Sequence, residues 1–165
     1  MSIVWVLTAL GAGLLVVAGI PKLTGAAKVP MLPELLARPL GLAEVLVGGW
    51  VLVDPSTPAL VAMAGTYLLL AAALVVAMAR SEPDCGCFGV DPVKPSSTHL
   101  VLNVAFCAVA CVALLLDGGP EVPMEDVTLR IVVAVLAVTG AAMLAELMST
   151  VSDIGDTRAA LRRTQ

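Results

Sequence analysis

The sequence predicts an all-α fold, a polytopic transmembrane helical bundle of four to five spans. Three observations carry this. Of the 165 residues 59% are hydrophobic and 13% charged, against about 45–50% and about 25% in soluble domains. The mean hydropathy is +1.02. The apolar residues also fall into long runs, each near the ~20 residues a helix needs to cross ~30 Å of hydrocarbon. Backbone groups in lipid must be satisfied internally, so such runs read as helices, and they are too uniformly apolar for the alternating strands of a membrane barrel.

Five runs qualify. Ile3–Ile20 carries no charge and stops at Pro21-Lys22. It lacks a basic leader, so it reads as a helix rather than a cleaved signal peptide. The second run, Leu40–Val53, follows Pro33, Arg38 and Pro39 and contains Glu44. Ala59–Ala79 is the longest clean run and ends at Arg80. Leu100–Leu116 follows Ser96-Ser97-Thr98, residues that can cap a helix start. Ile131–Ala145 lies between Arg130 and Glu146. Residues 1–150 thus form one transmembrane domain, and 151–165 a polar cytoplasmic tail. Gly11, Gly13, Gly19, Gly41, Gly48, Gly49, Gly65 and Gly140 suit close helix approach in lipid. Trp5 and Trp50 read as interfacial anchors.

Charge sets the expected orientation. Lys22, Lys28, Arg38, Arg80, Lys94, Arg158, Arg162 and Arg163 fall on one side of five alternating spans, and of the 9 basic residues only Arg130 falls on the other. The positive-inside rule then puts the N-terminus outside and the tail in the cytoplasm. The expected setting is a bacterial plasma membrane. With 9 basic against 13 acidic residues and only two Trp, one Tyr and two Phe, the chain has neither a basic footprint nor stacking platforms for nucleic acid. Phosphate loops, nucleophile elbows and zinc-protease motifs are absent from the sequence.

Candidate chemistry concentrates in the connection between spans three and four, Ser81-Glu82-Pro83-Asp84-Cys85-Gly86-Cys87-Phe88-Gly89-Val90-Asp91-Pro92. Two thiols around one glycine can close a small strained disulfide, and strained disulfides exchange readily. Redox chemistry fits better than metal, because a structural zinc site wants four ligands and only two thiols and His99 are at hand. His99, Asn103, Cys107 and Cys111 recur every fourth residue in span four and form one slowly turning stripe, expected to face the bundle interior. Cys107 and Cys111 are then candidate relay thiols or small buried apolar side chains. His99 is a candidate proton donor or a plain helix-end residue, and Asn103 suits a helix–helix hydrogen bond. Glu44 is an ionisable group inside a span, hence a functional candidate, or one member of an ion pair with Arg38, Lys22 or Arg80. Lys22, Glu44, Arg80, His99, Asn103 and Glu146 are all expected near the cytoplasmic ends of their helices.

The string Gly19-Ile20-Pro21-Lys22-Leu23, with Glu44 in the next helix, resembles the DoxX-like membrane superfamily. Asp84-Cys85-Gly86-Cys87-Phe88-Gly89, followed by Asn103, resembles the methylamine-utilisation family MauE. The resemblance runs from about Ile3 to Leu116 and leaves out the fifth span and the tail. It implies a helical bundle that supports maturation of an exported, disulfide-rich partner such as methylamine dehydrogenase, alongside a thioredoxin-like protein. It makes Cys85 and Cys87 the redox pair, with Glu44 and Asn103 in support. Two other classes stand beside a thiol–disulfide oxidoreductase: a non-catalytic membrane assembly subunit whose loop disulfide is only a staple, and a quinone-linked oxidoreductase depending on Glu44 and His99. A quinone is the one candidate cofactor, and no metal is expected.

Overall fold

A computed structural model describes residues 3–26, 34–80, 97–116, 131–144 and 146–147. Every regular element among these is a helix. They are α1 (Ile3–Thr24), α2 (Glu34–Val53), α3 (Thr57–Ala79) and α4 (Ser97–Leu115), followed by the shorter apolar helix α5 (Ile131–Leu144). The first four are long and apolar enough to cross a membrane. The 14 described residues of α5 cover about 21 Å. Among the described residues, four of the five expected spans have spanning length.

Three helices begin earlier than their apolar runs. Prolines and charges bound the apolar runs, yet helix continues through them. Pro21 lies in the last turn of α1 and Pro39 within α2. In the last turn of α1, Thr24 donates from Oγ1 to the carbonyls of Ile20 (3.1 Å) and Pro21 (3.2 Å). The helix then stops at Gly25, whose φ of +77° is a left-handed terminating conformation open to glycine. Between α2 and α3 the turn is tight. Ser56 is extended (φ −67°, ψ 159°) and caps α3 through its backbone, with Pro58 in the first turn.

The four long helices run up and down in sequence. The contacts are α1 against α2, α2 against α3, α3 against α4, and α4 back against α1. The α1–α2 contact is backbone on backbone. A methyl group added to Gly41 would lie 2.6 Å from the Gly19 carbonyl oxygen, and one on Gly48 would lie 2.5 Å from that of Ala12. Only glycine lets the helices meet this closely. In lipid, where apolar burial drives little, such van der Waals contact is a main source of association. The α3–α4 contact is made by side chains. Tyr67 and Phe106 stack with ring centroids 5.4 Å apart, and the Cys107 Sγ lies 3.5 Å from the Ala64 carbonyl oxygen. The two hairpins meet at Gly11, where an added methyl would strike Met63 and Phe106, each at 2.7 Å. α5 docks on the outside of α1. Gly13 lies beside Ala137 and Gly140 beside Leu10, which gives the two helices opposite directions.

Trp5 departs from its expected place at the membrane interface. It is buried in the bundle, while Trp50 remains on the surface. Being near the end of a span does not make a residue interfacial when, as with α1, the helix is packed on three sides.

Candidate functional site

Among the described residues, the ionisable groups withdrawn from the surface concentrate around one ion pair. The Lys22 Nζ donates to both Glu44 carboxylate oxygens, at 2.6 and 2.8 Å, and the two side chains are 2% and 0% exposed. Helix geometry explains the reach. Cα–Cβ bonds tilt toward a helix's N-terminus. In antiparallel α1 and α2 this sends Lys22 inward from the end of α1 and Glu44 outward to meet it. Of the three cations considered as partners of Glu44, the structure selects Lys22; Arg38 and Arg80 are exposed. Glu44 also lies deeper than its apolar run implied. Because α2 starts at Glu34 rather than Leu40, Glu44 is about 15 Å along the helix.

Helix α4 contributes His99 and Asn103, each 2% exposed. Asn103 Nδ2 donates to the His99 carbonyl oxygen at 2.8 Å. The expected inward stripe holds for these two and fails beyond them: Cys107 is half-buried and Cys111 is exposed. The buried face of α4 is His99, Asn103, Phe106, Ala110 and Ala113, spaced four, three, four and three. A four-residue step turns about +40° and a three-residue step about −60°. Alternating them keeps a seam nearly straight, whereas three successive fours drift ~120° and carry Cys111 out of the bundle. Both thiols are free, and the structure does not bring them to the His99 end. At ~1.5 Å per residue they lie about 12 and 18 Å deeper than His99.

Tyr67 was not singled out by its sequence context. It is 1% exposed, and its hydroxyl donates to the Gly11 carbonyl oxygen at 2.7 Å. The available signal was that it is the only tyrosine and lies in mid-span on the seam Leu60, Met63, Tyr67, Ala71, Leu74.

These side chains share one level of the bundle. On α1, Gly19 faces Gly41 and Ala12 faces Gly48, which sets Glu44 opposite Val16. Gly11 faces both Phe106 and Met63, which sets Asn103 opposite Leu14, His99 opposite Ala18, and Tyr67 opposite Leu15. The backbone levels of Glu44, Tyr67, His99 and Asn103 thus fall within about 6 Å at ~1.5 Å per residue, and Lys22 reaches in from the end of α1 to meet them at Glu44. Two further buried side chains with polar atoms lie outside the layer among the described residues: Thr8, which bonds within α1 to the Val4 carbonyl at 2.8 Å, and Trp5, whose indole Nε1 has no partner there.

Cys85 and Cys87 lie outside the described residues, in the segment joining the end of α3 to the start of α4. Arg80 and Glu146 are exposed and outside the layer. Among the described residues, no group of three or more His, Cys, Asp or Glu side chains is arranged to hold a metal ion.

An up-and-down bundle of four spanning helices around a buried ion pair defines a multi-pass membrane protein. The chain belongs to the family of the methylamine utilisation protein MauE, whose family model matches residues 1–116. No curated protein and no solved structure matches it. The match ends with α4, and α5 lies beyond it.

Proposed function

We propose that the protein carries out thiol–disulfide exchange at a bacterial plasma membrane and supports disulfide handling in an exported partner. The observation that carries this reading is the sequence Cys85-Gly86-Cys87 between two spanning helices of a MauE-family chain. The family description, methylamine utilisation protein, supports methylamine use as the pathway, and methylamine dehydrogenase is the client this reading takes.

The exchange balances as two displacements. A thiolate of the loop pair attacks one sulfur of a thioredoxin-like partner's disulfide. That S–S bond breaks, a mixed disulfide forms, and the partner's second sulfur leaves as a thiolate that takes up a proton. The other loop cysteine, as thiolate, then attacks the loop sulfur of the mixed disulfide. Cys85–Cys87 closes and the partner departs as a dithiol. Run in reverse, the same steps pass a disulfide to the partner. Two electrons move in either direction, and no thiol deeper in the membrane is required. Cys107 and Cys111 stay outside this scheme because they lie far along α4. Glu44 and Asn103 serve as supporting residues, Glu44 in the α1–α2 ion pair and Asn103 on the buried face of α4.

The positive-inside rule supports a cytoplasmic location for the loop and an external N-terminus. A membrane-impermeant maleimide applied from each side, with and without reductant, tests the reading. Cys85 and Cys87 should label only after reduction, from one side, and their state should follow the supply of thioredoxin. Free labelling under all conditions would show that the pair does not exchange, and an assembly-subunit role would replace the redox one.

A further inference from the structure

The buried polar layer has more hydrogen-bonding capacity than its own side chains use. Asn103 spends Nδ2 on the His99 carbonyl, while its Oδ1 is buried and receives no donor from the described residues. A buried amide oxygen without a donor is rare in folded proteins, and an unseen small molecule is a usual explanation. Lys22 has three N–H donors, of which two go to Glu44. One acceptor and one donor without a partner among the described residues therefore lie in the same layer, on neighbouring helices α4 and α1.

We propose that the layer is an internal binding site for water, which accepts a hydrogen bond from Lys22 and donates one to Asn103. The chemistry of the two groups selects this class. A bare anion would be repelled by the Asn103 oxygen, and a bare cation by the Lys22 ammonium. An apolar molecule would satisfy neither. A small neutral solute with both a donor and an acceptor serves both, and a buried water needs two to four such partners. The water would link the α1–α2 ion pair to α4, completing a polar layer drawn from all four long helices. It would also let the layer's protons exchange inside the membrane. The site does not depend on the thiol chemistry of the loop.

Water contacts measured by NMR on the full chain in lipid nanodiscs test this. Wild-type protein should give water cross-peaks at the Asn103 side-chain amide and at the Lys22 ammonium. Asn103→Leu should abolish the Lys22 cross-peak, and Asn103→Asp, which keeps an acceptor, should retain it. Absence of a water cross-peak at Asn103 in wild type overturns the proposal, and this arm stands even if Asn103→Leu fails to fold. A Lys22 cross-peak unchanged in Asn103→Leu also overturns it. So does a methyl cross-peak at Asn103 on addition of methylammonium, which would make a small amine the occupant.

Discussion

The two hairpins of the bundle are held together in different ways. In α1–α2 the backbones touch through Gly19, Gly41 and Gly48, and a sealed ion pair spans the contact. In α3–α4 the helices are spaced by Tyr67, Phe106 and a row of alanines and leucines. Backbone contact has no slack, because neither helix can yield to an added atom. Side-chain contact can repack. The α1–α2 hairpin is thus the rigid half, and the adaptable half is the one that carries the cysteine loop.

The sharpest way to break this contrast is to strip one charge from the rigid half. Lys22→Met leaves the Glu44 carboxylate buried without its partner and should cost about 3–5 kcal/mol, read as lost unfolding free energy in bicelles. Lys22→Met combined with Glu44→Leu should recover most of that loss, since an apolar pair of similar volume often replaces a buried ion pair without penalty. If the single variant is neutral, the pair does not hold the hairpin.

Next come the glycines. Gly41→Ala forces a methyl to within 2.6 Å of the Gly19 carbonyl oxygen and should cost about 1–3 kcal/mol as the helices separate. Gly49→Ala and Gly65→Ala meet open space and should stay within about 0.5 kcal/mol of wild type. Equal losses at all three positions in thermal unfolding would erase the distinction between contact and lipid-facing glycines.

The adaptable half should answer more weakly. Tyr67→Phe keeps the ring stack and removes only the bond to the Gly11 carbonyl, for about 1 kcal/mol. The smallest effect belongs to Cys111→Ala. That thiol is exposed, and its loss should change stability by less than about 0.5 kcal/mol. Thermal unfolding of the two variants side by side checks the order.

Much of this architecture was legible in the residues. Uninterrupted apolar runs can only be helices in lipid, so the four long spans followed directly, while the fifth run, Ile131–Ala145, corresponds to the shorter α5 among the described residues. Their ends did not, because Pro21 and Pro39 are tolerated inside membrane helices and conceal how far the helix continues. Glu44 was legible as a buried charge, but Lys22 was one of three possible partners, and choosing among them required the antiparallel register of α1 and α2. The expected inward stripe on α4, His99, Asn103, Cys107 and Cys111, takes a constant step of four. His99 and Asn103 fit it, whereas Cys111 does not, because a packed seam alternates fours and threes. Tyr67 and Trp5 were missed for a common reason: packing from three sides decides the burial of an aromatic ring, and local sequence does not record it.

The functional account rests on the loop pair, and trapping its covalent intermediate addresses that most directly. Single Cys85→Ser and Cys87→Ser variants would be incubated with a thioredoxin-like partner and resolved without reductant. The account predicts that at least one of them accumulates a mixed disulfide with the partner, that the double variant forms none, and that Cys107→Ser and Cys111→Ser leave the yield unchanged. An adduct that depends on Cys107 or Cys111, or no adduct from either loop variant, would contradict it.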